Sequence, residues 1–176
     1  ISRGIRLVKT ENQQTNAMGK MAQAVRNTAD AVNQMLQIPI VGRIFASNPV
    51  PVPSSDFNYY DAESTIDLAS SLLPQREKVA DLFALEVQGD SMIDAMVNDG
   101  DIVIMKRVKE VKNGEMVAVW LNDRDETTLK YFYLENGRVR LQPANPHMQP
   151  IYIENPAVVE VQGKVVMVIR RVESAN

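Results

Sequence analysis

Val87-Gln88-Gly89-Asp90-Ser91-Met92-Ile93-Asp94-Ala95-Met96-Val97-Asn98-Asp99-Gly100-Asp101 is the stretch that decides what kind of chain this is. It joins two short apolar runs, residues 82–88 and 102–107, that suit β-strands. Ser91 follows Gly89 and Asp90 at the end of the first run. A turn there presents the hydroxyl, and its backbone N–H groups can form an oxyanion hole. Asp99-Gly100-Asp101 is a tight turn into Ile102-Val103-Ile104-Met105. Many β-proteins contain such turns, so an ordinary loop and a nucleophile-bearing one both stay open on these residues alone.

Working outward, further strand candidates lie at 115–121, 127–134, 138–142, 149–153 and 157–171. Asn136-Gly137 between two of them is a strong hairpin signal. Gly163 inside the last run predicts a bulge or a break between two strands. A short helix is expected near 64–73. Many short strands with little helix predict a mainly β body. Upstream, Ile38–Phe45 is β-rich, and residues 46–53 (Ala-Ser-Asn-Pro-Val-Pro-Val-Pro) form an exposed, proline-stiffened stretch.

From Met18 to Leu36 there is no proline. Apolar residues recur at Met18, Met21, Ala22, Val25, Ala29, Val32, Met35 and Leu36, which is helical spacing. Such a helix either lies on the body as a linker or pairs with its twin in a dimer. Residues 9–16 are polar and linker-like. The expected organisation is therefore a short start at 1–8, a linker with an amphipathic helix at 9–37, and a β domain at 38–176.

The 176 residues suit one ordinary domain plus an arm, and 45% hydrophobic content is normal for a globular core. Net charge is −3, so no global basic field calls for nucleic acid. The charge is uneven, however. Residues 1–36 carry Arg3, Arg6, Lys9, Lys20 and Arg26 against Glu11 and Asp30, and the rest is acidic. A basic end on an acidic body suggests two different jobs. The chain has no cysteine, which removes disulfides, thiolate zinc sites and cysteine nucleophiles. Its one histidine, His147, lies in a turn with Pro143, Pro146 and Pro150 and reads as a surface residue, so no metal or cofactor is expected. No run approaches a membrane span and no signal-peptide core opens the chain, so it reads as cytoplasmic, with no membrane partner.

A serine nucleophile needs a base. Without cysteine, and with one poorly placed histidine, lysine is the remaining candidate. Lys130 lies in Glu126-Thr127-Thr128-Leu129-Lys130-Tyr131-Phe132-Tyr133. Strand alternation puts Thr128, Lys130 and Phe132 on one face, so Lys130 shares its face with an aromatic ring. Burial lowers a lysine's pKa and yields a neutral amine that can take a serine proton. An ordinary surface lysine on an edge strand fits the same spacing.

The order of these motifs resembles the LexA/UmuD/phage-repressor family of self-cleaving peptidases. Gly89-Asp90-Ser91-Met92, then Asp99-Gly100-Asp101, then a strand lysine 39 positions after the serine, are similar to that family's pattern. Val111–Ala118 resembles its Asn-Gly turn and following strand, Leu141-Gln142-Pro143-Ala144-Asn145-Pro146 its L-x-P-x-N segment, and Val161–Val166 its closing G-x-V strand. The likeness runs from about Ile38 to Val172. Ser2-Arg3-Gly4-Ile5-Arg6-Leu7 resembles the end of a winged helix-turn-helix domain, which implies a DNA-reading helix upstream of residue 1.

The resemblance implies a mainly β peptidase fold of twisted antiparallel sheets, partly barrel-like, with a helical linker before it. It implies Ser91 as nucleophile, Lys130 as general base and the Met92 amide as oxyanion donor. The family cuts itself at a bond, usually Ala-Gly, on a loop upstream of the serine. The similar region here places the scissile bond between Ala46 and Ser47, in a cleavage loop near 42–53. Ser47 departs from the usual glycine. The implied function is an SOS transcriptional repressor whose 38–176 domain forms a homodimer. An activated RecA filament on single-stranded DNA stimulates its self-cleavage, which derepresses DNA-damage genes. Operator DNA would be bound through the N-terminal domain. Three other readings stay open: a UmuD-like subunit of a translesion polymerase, a phage-type repressor, and a non-catalytic dimerisation module.

Overall fold

The computed structural model describes residues 20, 21, 23, 35–47, 50–51, 64–73 and 78–172. The chain divides into two compact units, residues 1–35 and 36–176. In the first, Lys20, Met21 and Gln23 are helical and exposed. The rest of the expected helix up to residue 34, the linker at 9–16 and the winged-domain remnant at 1–8 lie outside the described residues. Met35 and Leu36, which the helical spacing had included, instead open the first strand.

The second unit is built on one ten-stranded open sheet. Its strands are β1 (Met35–Phe45), β2 (Val50–Pro51), β3 (Thr65–Ala69), β4 (Leu82–Gln88), β5 (Ile102–Lys106), β6 (Glu115–Leu121), β7 (Glu126–Glu135), β8 (Arg138–Gln142), β9 (Ile151–Ile153) and β10 (Val159–Ile169). The order is β3-β1-β4-β5-β10-β6-β7-β8-β9, and β2 pairs with β7 off this path. A single sheet takes the place of separate sheets, and β1 runs parallel to β4, from Ile40 opposite Ala84 to Phe45 opposite Gln88.

The apolar runs of β4 and β5 are continuous because both faces are buried. Phe83, Leu85 and Val87 join one cluster with Ile44, Ala46, Met92, Val103, Met105 and Leu129. Leu82 and Ala84 join another with Ile38, Leu68, Leu73, Ile102 and Ile104. A third cluster gathers Val117, Val119 and Leu121 of β6 with Phe132, Val139, Leu141 and Ile153. The long β10 connects the halves, pairing first with β6 and then with β5. Its register slips between Val161 and Gly163, as the glycine predicted. A Cβ at Gly163 would lie 2.8 Å from the Lys106 carbonyl oxygen, so the crossover needs a residue without one. Asn136 and Gly137 both take positive φ (52° and 81°) and turn β7 into β8.

The helix expected near 64–73 is instead β3 followed by a short 3-10 turn at Ser70–Leu72. Ile66 and Leu68 point inward from alternate positions, and Leu68 packs on Ile38 of the neighbouring β1. The pairing surface of β1 overrides a local sequence with no strong strand signal.

Candidate active site

Strand β4 ends at Gln88, and Gly89 turns the chain at a φ of +104° to start the serine loop. Asp99 accepts from the Gly89 N–H at 2.8 Å, and the Gly100 N–H donates to the Val87 carbonyl at 2.8 Å, so the loop from 89 to 100 closes on itself. Asp101 locks its far end. Its carboxylate accepts two hydrogen bonds from Arg170, at 2.7 Å each, and one from the Asn98 N–H at 2.7 Å. The Arg170 guanidinium holds the Asp101 carboxyl below its ordinary pKa against the opposing effect of burial.

Ser91 is fully buried within this loop and Lys130 is 2% exposed. Lys130 Nζ lies 2.8 Å from Ser91 Oγ, 2.7 Å from Thr128 Oγ1, 2.8 Å from the Ser47 carbonyl oxygen and 3.0 Å from that of Leu129. Burial pushes the Lys130 pKa down from 10.5 to about 7, the Asp90 carboxylate opposing it. The two carbonyls can only accept. Thr128 directs its own hydrogen to the Phe45 carbonyl at 3.1 Å. Ser91 is therefore the hydroxyl placed to pass a proton to a neutral amine.

The 45–47 segment lies against this pair. β8 takes the edge of β7 only from Tyr131 to Glu135, and β2 takes it at Glu126 and Thr127. Between them, Thr128 and Lys130 hold the carbonyls of Phe45 and Ser47. On its other side Ala46 donates its N–H to the Gln88 carbonyl at 2.6 Å and accepts from the Ser91 N–H at 2.7 Å. The Ala46 side chain is fully buried in the cluster with Met92 and Leu129. Its carbonyl passes over Gly89, where a Cβ would lie only 2.8 Å from the Ala46 carbonyl carbon. One peptide bond is thus clamped with its oxygen on a backbone donor and its flanks beside a serine–lysine pair. A backbone donor, a buried hydroxyl and an amine of lowered pKa, the groups that acyl transfer uses, thus meet at one segment.

Residues 39–166 match the family model described as Peptidase S24-like. The chain belongs to that family. Among its curated relatives are LexA repressors of Herpetosiphon aurantiacus, 39% identical over 97% of this chain and 70% of the relative, and of Roseiflexus sp., 45% identical over 76% and 60%. The LexA repressor of Bacillus subtilis is 39% identical over 80% of this chain and 62% of its own length. The chain thus spans 60–70% of the length of each of these relatives.

In this S24 peptidase domain, the sequence-expected Ser91, Lys130, Ala46 and Ser47 come together. The Met92 amide, expected as oxyanion donor, makes no hydrogen bond to Ala46 among the described residues, and the Ser91 amide does so instead. Gly89 turns the Asp90–Ser91 peptide toward the segment. Met92 sits one residue deeper, its carbonyl accepting from Ala95 and Val97. Three residues had no expected role. Thr128 bridges the lysine and the segment, and its strand alternation with Lys130 was the available signal. Gly89 leaves room for the Ala46 carbonyl. Asn145 reaches the Asp90 carbonyl at 3.0 Å.

Proposed function

We propose that this chain is a LexA-type SOS transcriptional repressor that cuts its own Ala46–Ser47 bond with Ser91 as nucleophile and Lys130 as general base. The observation that carries this reading is a single contact pair: Ser91 donates its N–H to the Ala46 carbonyl at 2.7 Å while its Oγ lies 2.8 Å from Lys130 Nζ. Neutral Lys130 takes the Ser91 proton and Oγ attacks the Ala46 carbonyl carbon. The Ser91 N–H holds the oxyanion. Collapse breaks the bond to the Ser47 nitrogen, which leaves as an amine with the proton returned from Lys130. Water, deprotonated by the same amine, then hydrolyses the Ala46–Ser91 ester.

The tethered segment supplies the effective concentration, so no deep recognition pocket is needed. An activated RecA filament on single-stranded DNA acts by favouring the docked segment, a population shift. Residues 38–176 form the homodimer, and operator DNA is read by a domain other than these residues. Cutting between the two ends bivalent operator binding and derepresses the damage genes. The names of the relatives and the docked segment support this reading.

The test is intact mass of the purified chain at pH 7 and about pH 10, with and without activated RecA filament, beside Ser91→Ala and Lys130→Ala. Two fragments split after Ala46, absent in both variants, are expected. A chain intact under every condition would leave a dimerisation module without peptidase activity.

A further inference from the structure

Pro143-Ala144-Asn145-Pro146-His147-Met148 takes no part in the chemistry above, yet it is latched to the serine loop twice. Asn145 Nδ2 donates to the Asp90 carbonyl at 3.0 Å, and the Asp94 N–H donates to the Ala144 carbonyl at 2.8 Å. Asn145 is 6% exposed. Its Oδ1 accepts from the His147 N–H at 2.9 Å in an Asx turn, which leaves the amide nitrogen as the atom that faces Asp90. The flanking prolines restrict this turn further.

The Asp90 carbonyl and the Ser91 N–H belong to one planar peptide unit and point in opposite directions. Asn145 grips one end of that plane, and the other end donates to the Ala46 oxygen at 2.7 Å. A hydrogen bond donated to a peptide oxygen also polarises its N–H and strengthens the bond that N–H makes. We propose that Asn145 is a positioning residue that aims and polarises the Ser91 amide as the oxyanion donor for Ala46–Ser47 cleavage. It acts through the peptide plane and touches neither the scissile bond nor Lys130. This inference rests on the peptidase reading above.

Two substitutions separate this role from a merely structural one. Asn145→Ala removes both the turn bond and the donor. Asn145→Asp keeps an acceptor for His147 but replaces the donor that faces Asp90. Self-cleavage of the full chain is followed across pH, and the plateau rates above the midpoint are compared. Both variants are expected to lose about ten- to a hundredfold in plateau rate, less than deleting an oxyanion donor outright. The pH midpoint of Asn145→Ala should not move, because the lysine is untouched.

The second measurement needs no cleavage. In a Ser91→Ala background the residue-91 amide proton keeps its acceptor. Adding Asn145→Asp is expected to shift that proton upfield and speed its exchange, while protection in β4 and β5 persists. A wild-type plateau rate in Asn145→Asp, or an unmoved residue-91 amide, would overturn the proposal. So would a rate loss in Asn145→Ala that follows a displaced pH midpoint, since that would place the effect on the lysine. Absence of cleavage in the unaltered chain would overturn the peptidase reading instead, and the amide measurement would still report on Asn145.

Discussion

In the proposed mechanism the ionisation of Lys130 sets how cleavage depends on pH. With its pKa at about 7, roughly half of the docked amines are neutral at pH 7, against about one in 3000 for a lysine at 10.5. The first-order cleavage rate should therefore rise about tenfold between pH 6 and pH 8 and then level off. An ordinary lysine would give about a hundredfold rise over the same interval and keep climbing toward pH 10. Docking is linked to this proton. With the 45–47 segment away from Lys130 the amine would regain water and its ordinary basicity, so docking at pH 7 would expel about half a proton on average. The observed midpoint then lies at about 7 for a chain that rests docked, and moves toward 10.5 as the undocked fraction grows. Intact-mass time courses from about pH 5 to pH 10 give the rate profile. The Lys130 side-chain carbon resonance in Ser91→Ala gives the ionisation directly. A resonance titrating near 10.5 while the Ala46 amide stays protected from exchange would refute the reasoning.

Gly89→Ala should cut the rate by more than about tenfold and also lower the melting temperature, because the new Cβ meets the Ala46 carbonyl and the φ of +104° strains it; cleavage rate and melting temperature measured together check this. Lys130→Met removes a buried amine that folding must deprotonate. The unfolded chain binds the extra proton between about pH 7 and 10.5, so the wild type is penalised fully below pH 7, by roughly 4–5 kcal/mol, and recovers as pH rises. The stability advantage of Lys130→Met in denaturant melts should accordingly shrink from pH 6 to pH 10. Arg170→Ala leaves the buried Asp101 carboxylate without its guanidinium and should destabilise the chain at pH 7. Because the Asp101 pKa is lowered in the folded state, that contribution exists at neutral pH and is lost in acid, so the gap to wild type should narrow toward pH 3.

The strands from 82 to 169 were legible because their apolar runs are punctuated by turn residues whose backbone demands are local. Asn136-Gly137 and Gly163 are the clearest cases. Residue chemistry made Ser91 and Lys130 candidates but left an ordinary turn serine and a surface lysine open; the resemblance singled them out. β3 was not legible, because its strand character comes from lying beside β1. Nor was the parallel pairing of β1 with β4, which depends on distant chain segments meeting in space, Ile40 opposite Ala84. Family resemblance alone pointed to Met92 as the donor. The backbone places the Ser91 N–H, rather than that of Met92, on the Ala46 carbonyl, a matter of the Asp90–Ser91 plane that no linear pattern shows. Asn145 itself was visible as part of a motif, but nothing in a linear pattern says which carbonyl an amide will reach.

If the chain is cut after Ala46 as proposed, the position of β1 governs the fate of the two pieces. The strand is interior, between β3 and β4; it brings Ile38 and Ile44 into the clusters fully buried, and Ala46, directly after it, is buried as well. Severing the chain after Ala46 does not unpair any of these residues. The upstream piece must unzip from β4 and surrender its buried side chains before it can diffuse away, and that is a local unfolding event with its own rate. Under the proposed cleavage, two clocks would therefore run in sequence. One is chemical and set by the Lys130 proton; the other is mechanical and set by a strand leaving a sheet. The slower of the two decides how long a severed molecule still holds its two pieces side by side.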